Sequence, residues 1–408
     1  MGYIKRDIET AMRAAMEDYP CIIAAGPRQV GKTTLLKNMS EEGRDYVTLD
    51  DFGDRALAKN DPALFLSLHK PPVLIDEVQY APELFPYIKI AADNGAPASS
   101  FWLTGSQTFS LMSLAQESLA GRCAVFRIPS LSQHEIYGTG ENSPFTLSLD
   151  ALNERRFRGN TASVSEIFRR IWRGSMPGHI SGKFKDRDIF YSSYIQTYIE
   201  RDVSEAVDIA NKFQFTDFIR AAACRTSQML NIHSIAADVG ISDDTAKRWL
   251  HVLEKSGVIF YLHPYSANLL KRTVKTPKMY FFDTGLTAYL TKYTSPEILE
   301  AGAINGALLE NYVVAELRKS WTNAAKDCPI WYYRDKNSRE IDIIMEFDGE
   351  LHPIEIKKTI NPDARLIRTF EILDSSVSVP RGTGAVLCMR ESISAFDAQN
   401  FIVPVWMI

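Results

Sequence analysis

The 408 residues predict an α/β chain in three consecutive units, and three observations carry that prediction. An apolar run at 21–25 passes through a glycine-rich loop into helix-forming residues, the pattern of an open parallel sheet with ligands at its strand ends. Residues 230–262 show helical periodicity twice around a glycine, followed by a strand. Near the end, two apolar runs flank Asp348-Gly349, a two-residue hairpin signal. The boundaries expected from these changes are 1–215, 216–290 and 291–408.

Composition agrees, because 45% hydrophobic and 24% charged residues are globular values at a length that divides into two or three domains. Cys21, Cys123, Cys224, Cys328 and Cys388 have no paired spacing, so neither a zinc site nor a disulfide framework is indicated. The expectation is a reduced, cytoplasmic chain. The opening MGYIKRDIET lacks an apolar export core, and no run reaches the roughly 18 residues of a membrane helix. With a net charge of −4, nucleic-acid binding requires a local basic patch.

"GPRQVGKTTLL" fits G-x-x-x-x-G-K-[ST], with Gly26, Gly31, Lys32 and Thr33 at the fixed positions. The residues expected to cradle ATP phosphates are Gly26, Pro27, Arg28, Gln29, Val30, Gly31, Lys32, Thr33 and Thr34. Glycines let successive N–H groups converge on one phosphate, and the following helix adds its positive end. Lys32 is expected on the β and γ phosphates and Thr33 on Mg²⁺. In "VLIDEVQ" a strand ends in Asp76, expected to hold Mg²⁺ through its water shell, and Glu77, expected to orient the attacking water. A third strand, "SSFWLTGSQ", places Thr104 and Ser106 at its end, with Ser106 chosen as the γ-phosphate sensor. No [NT]-K-x-D stretch follows it, which disfavours a GTPase.

Residues 20–137, through "GPRQVGKTTLL", "VLIDEVQ", "LTGS" and "SLAGR", resemble AAA-type P-loop ATPases of bacteria and archaea that carry an uncharacterised C-terminal domain. The resemblance continues through "YIQTYIERDV" and "PKMYFFDTGL". It implies a P-loop ATPase sheet with a helical lid, and an arginine completing the γ-phosphate site, for which Arg122 and Arg201 are the candidates. It also implies work as a homo-oligomer, although no assembly signal is visible in the sequence.

In the middle unit Ile235, Ala236 and Val239 line one helix, and Ala246, Trp249, Leu250 and Leu253 the next, with Ser242 as its N-cap. A helix-turn-helix running into "GVIFYL" reads as a winged-helix domain. From Lys247 to Lys278 there are seven basic residues against one acid. Lys247, Arg248, Lys271, Arg272 and Lys275 are the expected contacts to phosphates of double-stranded DNA.

The last unit begins with the amphipathic "GALLENYVVAELRKSW", followed by "PIWYYRD", "REIDIIMEF" and "ELHPIEIKK". Side chains two apart on a strand share a face, so Glu355 and Lys357 point at one spot that Asp342 on the paired strand can reach. Helix then strands with these acids resembles the PD-(D/E)XK nuclease-like superfamily, an α/β restriction-endonuclease-like domain, although "SREID" lacks the Pro-Asp pair. The resemblance matches Glu310, Asp342 and Glu355 to Mg²⁺ ligands and Lys357 to the catalytic lysine. A mutually paired acid and lysine network without cleavage is the alternative.

Together these readings describe an ATP-driven, DNA-associated protein with a terminal nuclease-like domain. The alternative is a nucleotide-switched scaffold whose later domains contact proteins.

Overall fold

A computed structural model describes residues 2–106, 117–139, 143–198, 212–266, 276–335, 337–376 and 379–408. The first unit is a parallel five-stranded sheet of β1 (Cys21–Ala25), β2 (Asp45–Thr48), β3 (Val73–Asp76), β4 (Phe101–Gly105) and β5 (Cys123–Arg127), in the order β2-β3-β4-β1-β5. Strands β1, β3 and β4 are buried throughout, as parallel strands covered on both faces must be. Their side chains alternate between two cores: Cys21, Ile23, Ile75 and Leu103 enter one, while Ile22, Ala24, Leu74 and Trp102 enter the other. All five strands run the same way, so the loops after β1, β3 and β4 meet at one edge of the sheet.

The middle unit has helices Ile232–Val239 and Asp243–Lys255 and an antiparallel pair, β6 (Ile259–Leu262) with β7 (Lys278–Phe281). Gly240 ends the first helix in the left-handed conformation, and Ser242 Oγ accepts from Thr245 N at 3.1 Å to open the second. Ile235, Ala236, Ala246, Trp249, Leu250 and Leu253 are buried in one core, with Val239 packed at its margin.

The last unit packs the helix Asn305–Asn323 on a six-stranded sheet. Its strands are β8 (Ile330–Arg334), β9 (Glu340–Phe347), β10 (Glu350–Lys357), β11 (Gly384–Cys388), β12 (Ser394–Ala395) and β13 (Asn400–Pro404), ordered β12-β13-β11-β10-β9-β8. Asp348 and Gly349 both have positive φ, 49° and 77°, as the two-residue β9–β10 turn requires.

One boundary differs from the sequence expectation. Phe145, Leu152, Ile167, Phe168 and Ile171, placed in the first unit by the 1–215 boundary, pack with Leu308, Val313, Ile343 and Trp406 of the last. Tyr191, Tyr194 and Tyr198 instead join the middle core. The expected helical lid is thus divided between two later cores, because amphipathic helices reveal an apolar face but not which partner covers it. Among the described residues no helix is long and apolar enough to cross a membrane, and all five cysteines are free.

Candidate functional site

β1 delivers Gly26 to the sheet edge, and the loop closes on the helix Lys32–Met39. Gly31 precedes that helix at φ 89°, a conformation side chains rarely adopt. The Lys32 ammonium folds back over the loop and donates to Gly26 O at 3.0 Å and Pro27 O at 2.8 Å. Burial pulls it down to about 8, against the opposing pull of the Glu77 and Asp76 carboxylates.

Asp76 at the end of β3 gathers donors from three other elements. Thr33 Oγ1 donates to Asp76 Oδ1 at 2.9 Å, Thr104 Oγ1 from the intervening β4 donates to the same oxygen, and Tyr46 OH from β2 donates to Oδ2 at 3.1 Å. Burial and Asp76 push the Tyr46 phenol up to about 12, so it stays a donor. Glu77 follows in the left-handed conformation, φ 57° and ψ 43°, a strained geometry for a side chain and one that concentrates at functional positions. Its Oε2 accepts from Ser106 Oγ at 2.9 Å and from Gln79 Nε2. The structure therefore gives Ser106 to Glu77 as a hydrogen-bond partner.

The Thr33 hydroxyl and the Asp76 carboxylate, 2.9 Å apart, are the hard oxygen donors that Mg²⁺ takes, so the residues present fit the ion that P-loop chemistry calls for. Arg122 is not brought to this edge. It precedes β5 at the opposite end of the sheet, where its backbone carbonyl accepts from Cys21 N and its side chain pairs with Asp93. Arg201 lies outside the described residues. Two arginines missed by motif reading do reach the loop region. Arg127, registered opposite Ala25, lines the same cavity as Gly26 and Pro27. Arg6 donates to Val30 O at 3.0 Å, to Pro129 O at 2.8 Å and to Glu135 at 2.8 Å, fixing the loop from the N-terminal segment. No spacing rule links position 6 to position 30.

The middle unit meets the loop directly. A cavity of about 460 Å³ lies between Gly26, Pro27 and Val30 on one side and Gly257, Ile259 and Tyr261 on the other. On the outer face of the second helix Lys247, Arg248 and His251 are exposed, with Lys247 3.3 Å from Asp244. Lys271, Arg272 and Lys275 lie outside the described residues. Lys278, counted in the basic run, is buried and faces the last unit.

There the sequence-predicted residues converge, but on lysines. Lys357 Nζ is 2.6 Å from Glu355 Oε1 and 3.5 Å from Asp342 Oδ2, and Asp342 Oδ2 also accepts from Ile356 N at 2.9 Å. Lys278 Nζ lies 3.0 Å from Glu310 Oε1 and 2.6 Å from Glu340 Oε1, while Tyr280 OH donates to Glu310 at 2.7 Å. Burial alone would lower Lys278, but the Glu310, Asp342 and Glu340 carboxylates outweigh it and hold the ammonium above its ordinary range. Four carboxylates face two ammonium groups. Burial first, and then Asp342, pushes Glu355 up to about 7; burial and Asp342, against Lys278, do the same for Glu310. Among the described residues no group of three or more His, Cys, Asp or Glu is placed to hold a metal ion. In the structure Glu310, expected with Asp342 and Glu355 as a Mg²⁺ ligand, pairs with Lys278, which arrives from a different unit and which local spacing cannot reveal.

Comparison with known proteins divides the chain in three. Residues 18–137 match the AAA domain family, and residues 164–297 and 305–408 match two families described as domains of unknown function, DUF8612 and DUF4143. Uncharacterized proteins of Mycobacterium tuberculosis and Mycobacterium bovis are each 28% identical over 363 residues, covering 88% of this chain and 75% of theirs. Among solved structures, the Walker-type ATPase PABY2304 of Pyrococcus abyssi is similar at a TM-score of 0.44 and 16% identity, over 71% of this chain and 96% of that one. The Saccharomyces cerevisiae Hsp104–ADP complex is similar at 0.29 and 14%, over 79% and 45%.

Proposed function

We propose that this chain, whose residues 18–137 form an AAA-type P-loop unit, is a Mg²⁺-dependent ATPase that uses nucleotide turnover to reposition its middle and last units on DNA. The observation that carries the ATPase reading is the meeting of Lys32, Thr33, Asp76 and Glu77 at one sheet edge, with Thr33 and Asp76 oxygens 2.9 Å apart. Lys32 neutralises β- and γ-phosphate charge, Thr33 and Asp76 hold the ion, and Glu77 orients the attacking water. Mg²⁺, when bound, supplies charge neutralisation across the phosphates.

The cavity shared by the loop and residues 257–261, and the close approach of Gly257 to Pro27, support coupling between the phosphate loop and the β6–β7 hairpin. Exposed Lys247 and Arg248 support phosphate contact by the second helix. A second reading, the nucleotide-switched scaffold, is favoured by the lysines that occupy the terminal acid cluster.

The test is ATP turnover with Mg²⁺ in wild type, Lys32→Ala and Glu77→Gln. Each variant is expected to lose about 100-fold or more. Wild-type turnover in both removes the ATPase reading. Incubation of wild type and Asp342→Ala with supercoiled plasmid, Mg²⁺ or Mn²⁺ and ATP separates the readings of the last unit: nicking by wild type alone restores a nuclease, and intact plasmid with both supports the scaffold.

A further inference from the structure

Gln79 closes the "VLIDEVQ" stretch with no role assigned to it by the P-loop pattern, yet it occupies the catalytic edge. It sits in the short 3₁₀ turn Val78–Tyr80, which starts from the left-handed Glu77 and folds the Gln79 amide back over that acid. Gln79 Nε2 donates to Glu77 Oε2 and lies 3.4 Å from Ser106 Oγ, while Ser106 Oγ donates to the same Glu77 oxygen at 2.9 Å. Two neutral donors thus converge on one carboxylate oxygen from two strand ends. Fixing one oxygen fixes the carboxylate plane, and with it the direction of the other oxygen. The remaining atom of the amide, Gln79 Oε1, is buried and meets no donor among the described residues. A buried acceptor without a protein donor costs about 1–3 kcal/mol, so its place in the site needs a function.

We infer that Gln79 is a positioning residue for hydrolysis: with Ser106 it holds Glu77 Oε2 so that Oε1 faces the nucleophilic water. The inference rests on the ATPase reading of this site. In the step it serves, the water gives a proton to Glu77 as its oxygen bonds to the γ-phosphorus. The bond from that phosphorus to the bridging oxygen breaks, and ADP departs with the electron pair. Gln79 neither gains nor loses a proton. It is not expected to contribute to ATP affinity, because its hydrogen bonds run to Glu77 and to Ser106, whose hydroxyl is itself engaged with Glu77.

Gln79→Met keeps the length of the side chain and removes both amide groups. In the full-length chain the expected result is a kcat for ATP hydrolysis about 100-fold lower, with the Kd for Mg-ATP, read by calorimetry, within about twofold of wild type. Ser106→Ala, which removes the other donor, is expected to lower kcat by about 10-fold, again without moving Kd. In single-turnover hydrolysis by Glu77→Gln, adding Gln79→Met is expected to cost nothing further, because the residue acts only through Glu77. A merely structural Gln79 would lower both backgrounds equally and shift Kd with kcat. Wild-type kcat in Gln79→Met, while Glu77→Gln is dead, overturns this inference alone. Unchanged turnover in Glu77→Gln overturns the ATPase reading beneath it. If Gln79→Met fails to fold, Ser106→Ala decides: an unchanged kcat refutes the clamp.

Discussion

Lys278 Nζ lies 3.0 Å from Glu310 Oε1, a buried ion pair that joins the β6–β7 hairpin to the helix Asn305–Asn323 of the last unit. The lysine side chain is 5% exposed and the glutamate 16%, so neither charge keeps its water shell. The pair is a joint between two units, and its cost of assembly is recovered only while both partners stay in place.

Removing one partner is therefore severe. Lys278→Met leaves the buried Glu310 without its counter-charge, with Glu340 held by Arg334 alone, and a loss of about 3–5 kcal/mol in unfolding free energy is expected from urea denaturation. Adding Glu310→Gln to the same protein is expected to return part of that loss. Equal stability of wild type and Lys278→Met would show that the joint contributes nothing.

The cluster also makes stability depend on pH in an uncommon direction. Glu310 and Glu355 titrate near 7 in the folded chain, above the ordinary glutamate value of 4.5, so the folded state holds protons that the unfolded state has released. Their contribution is fully present below about 4.5 and is lost as pH rises through about 7. Melting temperature is expected to rise between pH 8 and pH 6, and Glu355→Gln is expected to flatten that slope. A flat wild-type profile contradicts the assignment.

Gly257 has φ +72°, and a Cβ there would stand 2.6 Å from Pro27 Cγ of the phosphate loop. Gly240 has nearly the same backbone, φ +71°, with nothing within 4 Å. Alanine at either position costs about 1–2 kcal/mol of backbone strain, so Gly240→Ala is the control. Gly257→Ala is expected to destabilise further and to weaken Mg-ATP binding, measured by calorimetry, whereas Gly240→Ala leaves affinity unchanged. Equal affinities in the two would break the link between hairpin and loop.

Lys247 and Arg248 project from the second helix of the middle unit, on the side away from its apolar stripe. If they touch phosphates, Lys247→Ala with Arg248→Ala is expected to weaken duplex binding about equally for all sequences and to reduce the salt slope by roughly 2. Gel shifts at several salt concentrations read both. No wild-type binding at low salt leaves these residues as solvated surface.

The parts legible in the sequence are those written by neighbours along the chain. An apolar run, glycines at 26 and 31 and a lysine at 32 define a loop because a few consecutive dihedrals decide it, and the Ser242 cap and Asp348-Gly349 turn are legible for the same reason. Even the convergence of Asp342, Glu355 and Lys357 follows from strand alternation across one hairpin. Tyr46 on Asp76, Gln79 folded onto Glu77 and Arg6 on Val30 carried no signal of that kind, since each depends on how a strand order or a turn directs one side chain.

What the chain determines by itself is a set of local geometries and the chemistry each could perform. Tertiary structure decided how they were combined: packing placed Arg122 away from the phosphate loop, divided the expected lid between two cores, and buried Lys278 between Glu310 and Glu340. The physical reason is range. Backbone preference and periodicity act over a few residues, whereas burial and Coulomb energy depend on what lies nearby in space, and the nearest charge to Glu310 is 32 residues away along the chain.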